Sequence, residues 1–151
     1  DNESLVIAGY TGRSTTVVIA AEYEGLPVRA IGESAFEEAG ITAITLPNGV
    51  TFIGERAFEG CESLTSITLP NSVTSIGYGA FEGCGSLTSI ALPNGVTDIG
   101  ERAFRDCGSL ETVTISPAKG RIWRGGAFGA CPKLSPASKA ALRAAGYKYN
   151  L

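Results

Sequence analysis

Histidine and methionine are absent from the chain, tryptophan occurs once, and no acidic residue follows Glu111. Without histidine, a Ser–His or Cys–His nucleophile system cannot be assembled in its usual form, and the commonest neutral metal ligand is missing. Cysteine is scarce, at four, and no two stand in the CxxC spacing that zinc sites use. No apolar run approaches the roughly 20 residues of a membrane helix, and no charged-then-apolar leader precedes Asp1. The missing methionine reads as a processed mature chain or an excised domain, so the N-terminus is silent on export. The Asn2-Glu3-Ser4 sequon is a chance-level match.

The charge is divided along the chain. Fifteen acids and five bases up to Glu111 give −10, and the seven later bases, Lys119, Arg121, Arg124, Lys133, Lys139, Arg143 and Lys148, give +7. Such a dipole speaks to association rather than to fold. Nucleic acid is not the expected partner, because the basic end has one interleaved aromatic and sits beside an acidic body that repels phosphate.

What is present is a repeat. Residues 64–86, LTSITLPNSVTSIGYGAFEGCGS, recur in register at 41–63 and 87–109. A fixed period of this size marks a solenoid whose units cannot bury their apolar faces alone. The 151 residues, 44% hydrophobic, are enough for one soluble unit with a continuous core. Stacked strands lie about 4.8 Å apart, so each residue meets its counterpart in the next unit and identical types self-pack as ladders. The columns are Ile31/Ile53/Ile76/Ile99/Ile122, Phe36/Phe58/Phe81/Phe104/Phe128 with an alanine before each, Ile41/Leu64/Leu87/Leu110/Leu134, Ile44/Ile67/Ile90/Val113 and Leu46/Leu69/Leu92/Ile115.

Within a unit, Leu64-x-x-Ile67-x-Leu69 alternates as a short strand with one face inward. Pro70-Asn71, like Pro47-Asn48-Gly49, is a corner, with proline at the first central turn position. A second short strand spans 73–77, and Ala80-Phe81-x-x-Cys84 returns the chain in about one helical turn. Ahead of the repeats, residues 5–10 and 15–20 read as an N-terminal β-hairpin, with Val17 and Ile19 continuing the Ile67 and Leu69 columns. Behind them, Ser135 as N-cap, Pro136, an alanine-rich run and Gly146 read as a short helical cap. The chain is thus a single domain: residues 1–27 cap and first strand, 28–134 repeats of about 23 residues, 135–151 C-terminal cap.

The pattern LxxIxLPxxVxxIGxxAFxxC, whole at 64–84 and 87–107, resembles the BspA-type leucine-rich repeat of bacterial and protist surface proteins and covers nearly all of residues 17–134. Gly9-Tyr10-Thr11-Gly12 and Gly25-x-Pro27-Val28 are similar to that family's entry segment. The chain departs from the pattern at Ala39, which replaces cysteine, and at Ala118-Lys119-Gly120-Arg121, which replaces a Pro-Asn-Gly-Val corner. The resemblance implies a curved repeat solenoid, a leucine-rich-repeat-like right-handed coil with a parallel β-sheet on its concave face, used for adhesion or protein–protein contact.

The candidate chemistry is thin. Cys61, Cys84, Cys107 and Cys131 form one column, which argues for reduced core packing, since ligands strung along a ladder cannot converge on a tetrahedron. Glu33, Glu55 and Glu101 share a column broken by Tyr78, an ordinary solvated surface unless two of them serve glycoside hydrolysis. No catalytic, cofactor-binding or metal-ligating residue is assigned. For binding, the outward strand positions Ser66, Thr68, Ser89, Thr112 and Thr114 give a smooth hydroxyl face, Phe52 and Tyr78 lean outward elsewhere, and Trp123, flanked by Arg121 and Arg124, stands where earlier units carry glycine, either packed against the end cap or in contact with a ligand. The expected function is a non-enzymatic interaction or adhesion module of a bacterial surface or secreted protein, extracellular or at the cell surface. It needs no cofactor, no nucleic acid and no membrane insertion. Its expected partner is a host or matrix protein or another surface protein, with weak head-to-tail self-association through the basic end. A carbohydrate-binding or glycan-processing module, and a structural spacer of a larger surface protein, stay open.

Overall fold

Two alternating apolar stretches per unit, divided by a turn, give two short strands per coil. The computed structural model describes residues 4–117 and 120–151; Asn2 of the sequon and Ala118 and Lys119 of the irregular corner lie outside the described residues. In chain order the strands are β1 (Leu5–Ile7), β2 (Thr16–Val18), β3 (Glu22–Tyr23), β4 (Leu26–Ile31), β5 (Ala43–Thr45) and β6 (Phe52–Ile53). They continue with β7 (Ser66–Thr68), β8 (Ser75–Ile76), β9 (Ser89–Leu92), β10 (Asp98–Ile99), β11 (Thr112–Ile115) and β12 (Ile122–Trp123), and helix α1 (Pro136–Ala144) closes the chain. The result is a parallel β-solenoid. One side is a parallel sheet ordered β1-β4-β6-β8-β10-β12, and the other is built from β2-β5-β7 and β9-β11. The two pieces of the second side abut where Thr88 N–H donates to Thr65 O at 3.4 Å.

The third side of each coil is the Ala-Phe return, tied to its neighbour by the backbone. Phe81 N–H donates to Ala103 O at 2.7 Å, and the same bond joins Phe36 to Ala57, Phe58 to Ala80 and Phe104 to Ala127. This register forces the rings to stack. Their centroids lie 5.0–5.3 Å apart from Phe36 through Phe128, with planes within 2–9° of parallel. All five rings are buried, as are the Ile, Leu, Ala and Cys columns beside them except the half-buried Ile115 and the exposed Ile122, in one core running the length of the coil.

The ends are closed by residues that imitate a missing coil. At the first end Tyr10 stacks on Phe36 at 5.3 Å, and its N–H donates to Ala35 O at 2.7 Å, as each phenylalanine does to the coil after it. At the last end Phe128 N–H has no alanine carbonyl to meet and donates instead to Tyr147 Oη at 3.2 Å. The edge of β11 is closed by Ser138 of α1, whose Oγ accepts from Val113 N–H at 2.9 Å and donates to Glu111 O at 3.0 Å. The helix starts where its residues dictate: Ser135 Oγ accepts from Ser138 N–H at 3.1 Å, Pro136 follows, and Gly146 at φ 91° ends it.

Three expectations are corrected. Residues 5–10 and 15–20 are not the arms of one hairpin: β1 pairs in parallel with β4, Ile7 opposite Ile31, whereas β2 pairs in parallel with β5, Val17 opposite Ile44. The hairpin of the N-terminal cap lies one step on, β3 with β4, Tyr23 opposite Leu26, around Glu24 and Gly25 at φ 51° and 78°. A loop with both central residues left-handed matches the twist of an antiparallel pair. Second, Ile122 is not in the buried isoleucine column: Trp123 pairs with Ile99 and Ile122 with Asp98, leaving Ile122 52% exposed. Ile115 lies opposite Leu92, a spacing of 23, but Trp123 opposite Ile99 makes 24, so the extra residue sits in the corner between β11 and β12. Third, the corner prolines stand one place earlier than expected. Val73 N–H donates to Pro70 O at 3.0 Å, which makes the proline the first residue of the turn and leaves Asn71 and Ser72 central.

Candidate functional site

Two faces present side chains outward, and they differ in kind. On the β2-β5-β7 and β9-β11 side, strand register aligns Thr16, Ala43, Ser66, Ser89 and Thr112 in one row and Val18, Thr45, Thr68, Ala91 and Thr114 in the next. Ser66, Thr68, Ser89, Thr112 and Thr114 therefore do share one exposed face without an aromatic, hollowed to about 460 Å³ beside Thr68, Ala91, Asn94 and Thr114. Such a surface lacks the Trp, Tyr and Arg anchors that concentrate binding energy.

The other sheet carries a groove. Its outward row is Val6, Ala30, Phe52, Ser75, Asp98 and Ile122, fixed by strand pairing. Beyond the buried isoleucines comes the glycine row, and the coils touch there: a Cβ at Gly77 would stand 2.7 Å from Glu55 N, and one at Gly100 would stand 2.4 Å from the Gly77 carbonyl carbon. At Gly54, Gly77 and Gly100 the row is therefore a floor kept free of side chains, and it ends at Arg124, which takes the glycine place in the last coil. Glu55, Tyr78 and Glu101 wall its far side, Phe52, Ser75 and Asp98 the near side, and Arg124 closes one end, enclosing about 500 Å³.

Charge in the groove is partly spent. Arg124 donates to Asp98 through two parallel bonds, Nε to Oδ1 at 2.9 Å and Nη2 to Oδ2 at 2.8 Å. Those bonds hold the Asp98 carboxyl below the usual carboxylate range. Tyr78 is flanked by Arg56 and Arg102, each guanidinium 5.8 Å from the ring centroid, and Arg102 Nη1 donates to Tyr78 Oη at 3.0 Å. Glu55 makes no ion pair among the described residues, and Glu101 has only Arg102 Nε at 3.8 Å. Phe52, 40% exposed, is the groove's open aromatic.

The family model of the BspA type leucine rich repeat region matches residues 28–138 in six copies. The chain belongs to the BspA-type leucine-rich repeat family. Among solved structures, this BspA-type chain is similar to a leucine-rich repeat protein of T. pallidum, with 28% identity, TM-score 0.65, and 97% of this chain and 90% of that one covered. It is also similar to a leucine-rich repeat protein from Bacteroides capillosus, with 34% identity, TM-score 0.68, and 75% and 87% covered. A third likeness is to a leucine rich cell surface protein of Faecalibacterium prausnitzii, with 26% identity and TM-score 0.61, over 89% of this chain but only 50% of that one. No curated protein matches.

In this BspA-type chain the structure places Phe52, Tyr78 and Arg124 around one groove and turns Arg121 and Trp123 inward. Arg121 Nε donates to Val96 O at 3.0 Å and Nη1 to Ser116 O at 2.6 Å, so its guanidinium ties the end of β11 to the coil before it. Burial holds it below the usual guanidinium value. Trp123 occupies the isoleucine position, not the glycine one, which falls to Arg124. Its indole meets Tyr147 edge-on at 5.2 Å, and its Nε1–H donates to Ala145 O at 3.1 Å, pinning the end of α1. Sequence reading missed Asp98 and Ser75. Their signal was position: each directly precedes the buried isoleucine of its unit and so faces outward beside the glycine floor.

The cysteines offer no nucleophile. All four are buried and unpaired. Each Sγ–H donates to the phenylalanine carbonyl of the preceding coil, Cys61 to Phe36 at 3.0 Å, Cys84 to Phe58 and Cys107 to Phe81 at 3.2 Å, Cys131 to Phe104 at 3.1 Å. Burial pushes the thiols of Cys61 and Cys131 up to about 11 and those of Cys84 and Cys107 further in the same direction. A thiolate is the reactive form, so these thiols are inert at neutral pH. No group of His, Cys, Asp and Glu among the described residues could hold a metal ion, and no described helix is long and apolar enough to cross a membrane.

Proposed function

We propose that this chain is a non-enzymatic interaction or adhesion module, secreted or displayed on a bacterial surface, that contacts a host, matrix or neighbouring surface protein through its glycine-floored groove. The observation that carries this reading is the convergence of Phe52, Tyr78 and Arg124, from three different coils, on one open groove whose floor the coil packing keeps empty. Membership in the BspA-type family and the likeness to a bacterial leucine rich cell surface protein support the class and the location. The inert thiols and the absence of histidine support a role without catalysis. An exposed phenylalanine beside carboxylates also suits a sugar ring, which favours glycan binding as the second reading.

The test is a side-by-side assay of the isolated chain on an extracellular-matrix protein panel and a glycan array. Capture of one or a few proteins with no glycan turnover is expected. Capture of glycans alone shifts the function to carbohydrate binding, and turnover of any glycan ends the non-enzymatic reading. Head-to-tail self-association falls to the bases left exposed at the last end, Lys133, Arg143 and Lys148, because Arg121 and Arg124 are engaged internally. Light scattering should show a reversible increase in mass at low salt that Arg143→Glu with Lys148→Glu abolishes; a strictly monomeric chain at low salt removes that contact.

A further inference from the structure

We infer that the groove receives an extended segment of a partner protein bearing lysine or arginine, with one cationic side chain lying on Phe52 beside Glu55 and a second reaching Glu101. The inference rests on the groove being the contact surface and adds the chemistry of what enters it. Of the three carboxylates that line it, Asp98 is neutralised by its two bonds from Arg124, while Glu55 has no ion pair among the described residues. Glu101 meets Arg102 Nε only at 3.8 Å, the outer edge of an ion pair. Two carboxylates, two coils apart, are therefore left without a close counter-ion.

Spacing makes them reachable by one peptide. Successive coils rise by about 4.8 Å, which puts Glu55 and Glu101 about 10 Å apart, while same-side residues of an extended chain repeat every 7 Å or so. The flexible arms of lysine or arginine close the difference. Tyr78 cannot accept a further cation on its ring, because Arg56 and Arg102 already flank it at 5.8 Å. Phe52 is the open ring, 40% exposed on the opposite wall, and a guanidinium or ammonium over an aromatic face is favourable by about 0.5–1 kcal/mol at an exposed site. The glycine floor lets a main chain lie close to the sheet, and the −10 charge carried by residues 1–111 draws a cationic segment toward it.

The experiment is an NMR titration of the ¹⁵N-labelled chain with octalysine, with octaglutamate and cellohexaose as comparison probes. Octalysine should shift the amides of Ser75, Gly77, Tyr78 and Gly100, weakening severalfold at about 0.5 M salt. Glu55→Gln with Glu101→Gln should remove those shifts while leaving the rest of the spectrum in place. Phe52→Ala should weaken them severalfold at unchanged net charge, which unspecific attraction to an acidic body would not do. A separate acidic row, Glu37, Glu59 and Glu82, follows the column phenylalanines Phe36, Phe58 and Phe81 on the return side of the coil. The inference is overturned if octalysine shifts only that row, if the shifts survive the double substitution, or if cellohexaose shifts the groove and octalysine does not. Matrix-protein capture that survives the double substitution overturns the cationic ligand and leaves the interaction module standing; loss of capture by the unsubstituted chain removes both.

Discussion

Phe81 shows what a single residue does in a ladder. It is fully buried, stacks on Phe58 and Phe104 at 5.1 Å, and lends its carbonyl to the thiol of Cys107. Phe81→Ala removes a ring from the middle of a column that cannot collapse on both sides at once, and should cost about 3–5 kcal/mol in urea unfolding. A loss below about 1 kcal/mol would mean that the rings do not form a continuous core. The thiols give a pH signature. Because burial raises their folded-state values, the unfolded chain gives up its thiol protons first as pH rises. The stability contributed by Cys61 and Cys131 is therefore intact below their ordinary value near 9 and drains away toward 11. The melting temperature should fall over that window, and Cys61→Ala with Cys131→Ala should lessen the fall, with Cys84 and Cys107 carrying the rest. The columns of phenylalanine, alanine and cysteine were legible in the sequence because each residue packs on a copy of itself. Trp123 and Ile122 were not, because the isoleucine column was continued at a spacing of 23 past an added residue, although the Phe104–Phe128 and Cys107–Cys131 spacings already carried the 24.

At the scale of elements, the coil strands could be placed from alternation and the corners from Pro-Asn, since both signals are local. Partner and direction are not local: β1 and β2 each alternate well enough to be hairpin arms, and only the three-dimensional coil assigns them to different sheets. The groove was half legible for the same reason. Phe52 and Tyr78 stand out within their own units, whereas the Asp98–Arg124 pair and the clash that empties the glycine row exist only between coils. The terminal helix was read from its caps, but its main contribution is a single hydroxyl. Ser138, 3% exposed, serves as acceptor and donor for two backbone groups of the last coil. Ser138→Ala leaves a buried N–H unpaired and should cost about 1–3 kcal/mol, while Ser66→Ala on the hydroxyl face should stay within about 0.5 kcal/mol. Equal losses in thermal or urea unfolding would show that α1 does not close the ladder through that hydroxyl.

At the scale of the whole molecule, four inert buried thiols leave the surface free of cysteine, so a thiol introduced outside is the only one a maleimide reaches in the folded state. That allows the two outward faces to be blocked one at a time, with Ser75→Cys in the groove and Ser66→Cys on the hydroxyl face, each carrying a bulky label. The measurement is capture of the labelled chains by the matrix proteins that bind the unlabelled one. The expected result is that the label at Ser75 abolishes capture and the label at Ser66 leaves it within a few-fold of the unlabelled chain. Capture that withstands the label at Ser75 and is lost with the label at Ser66 would contradict the assignment of the groove as the binding face.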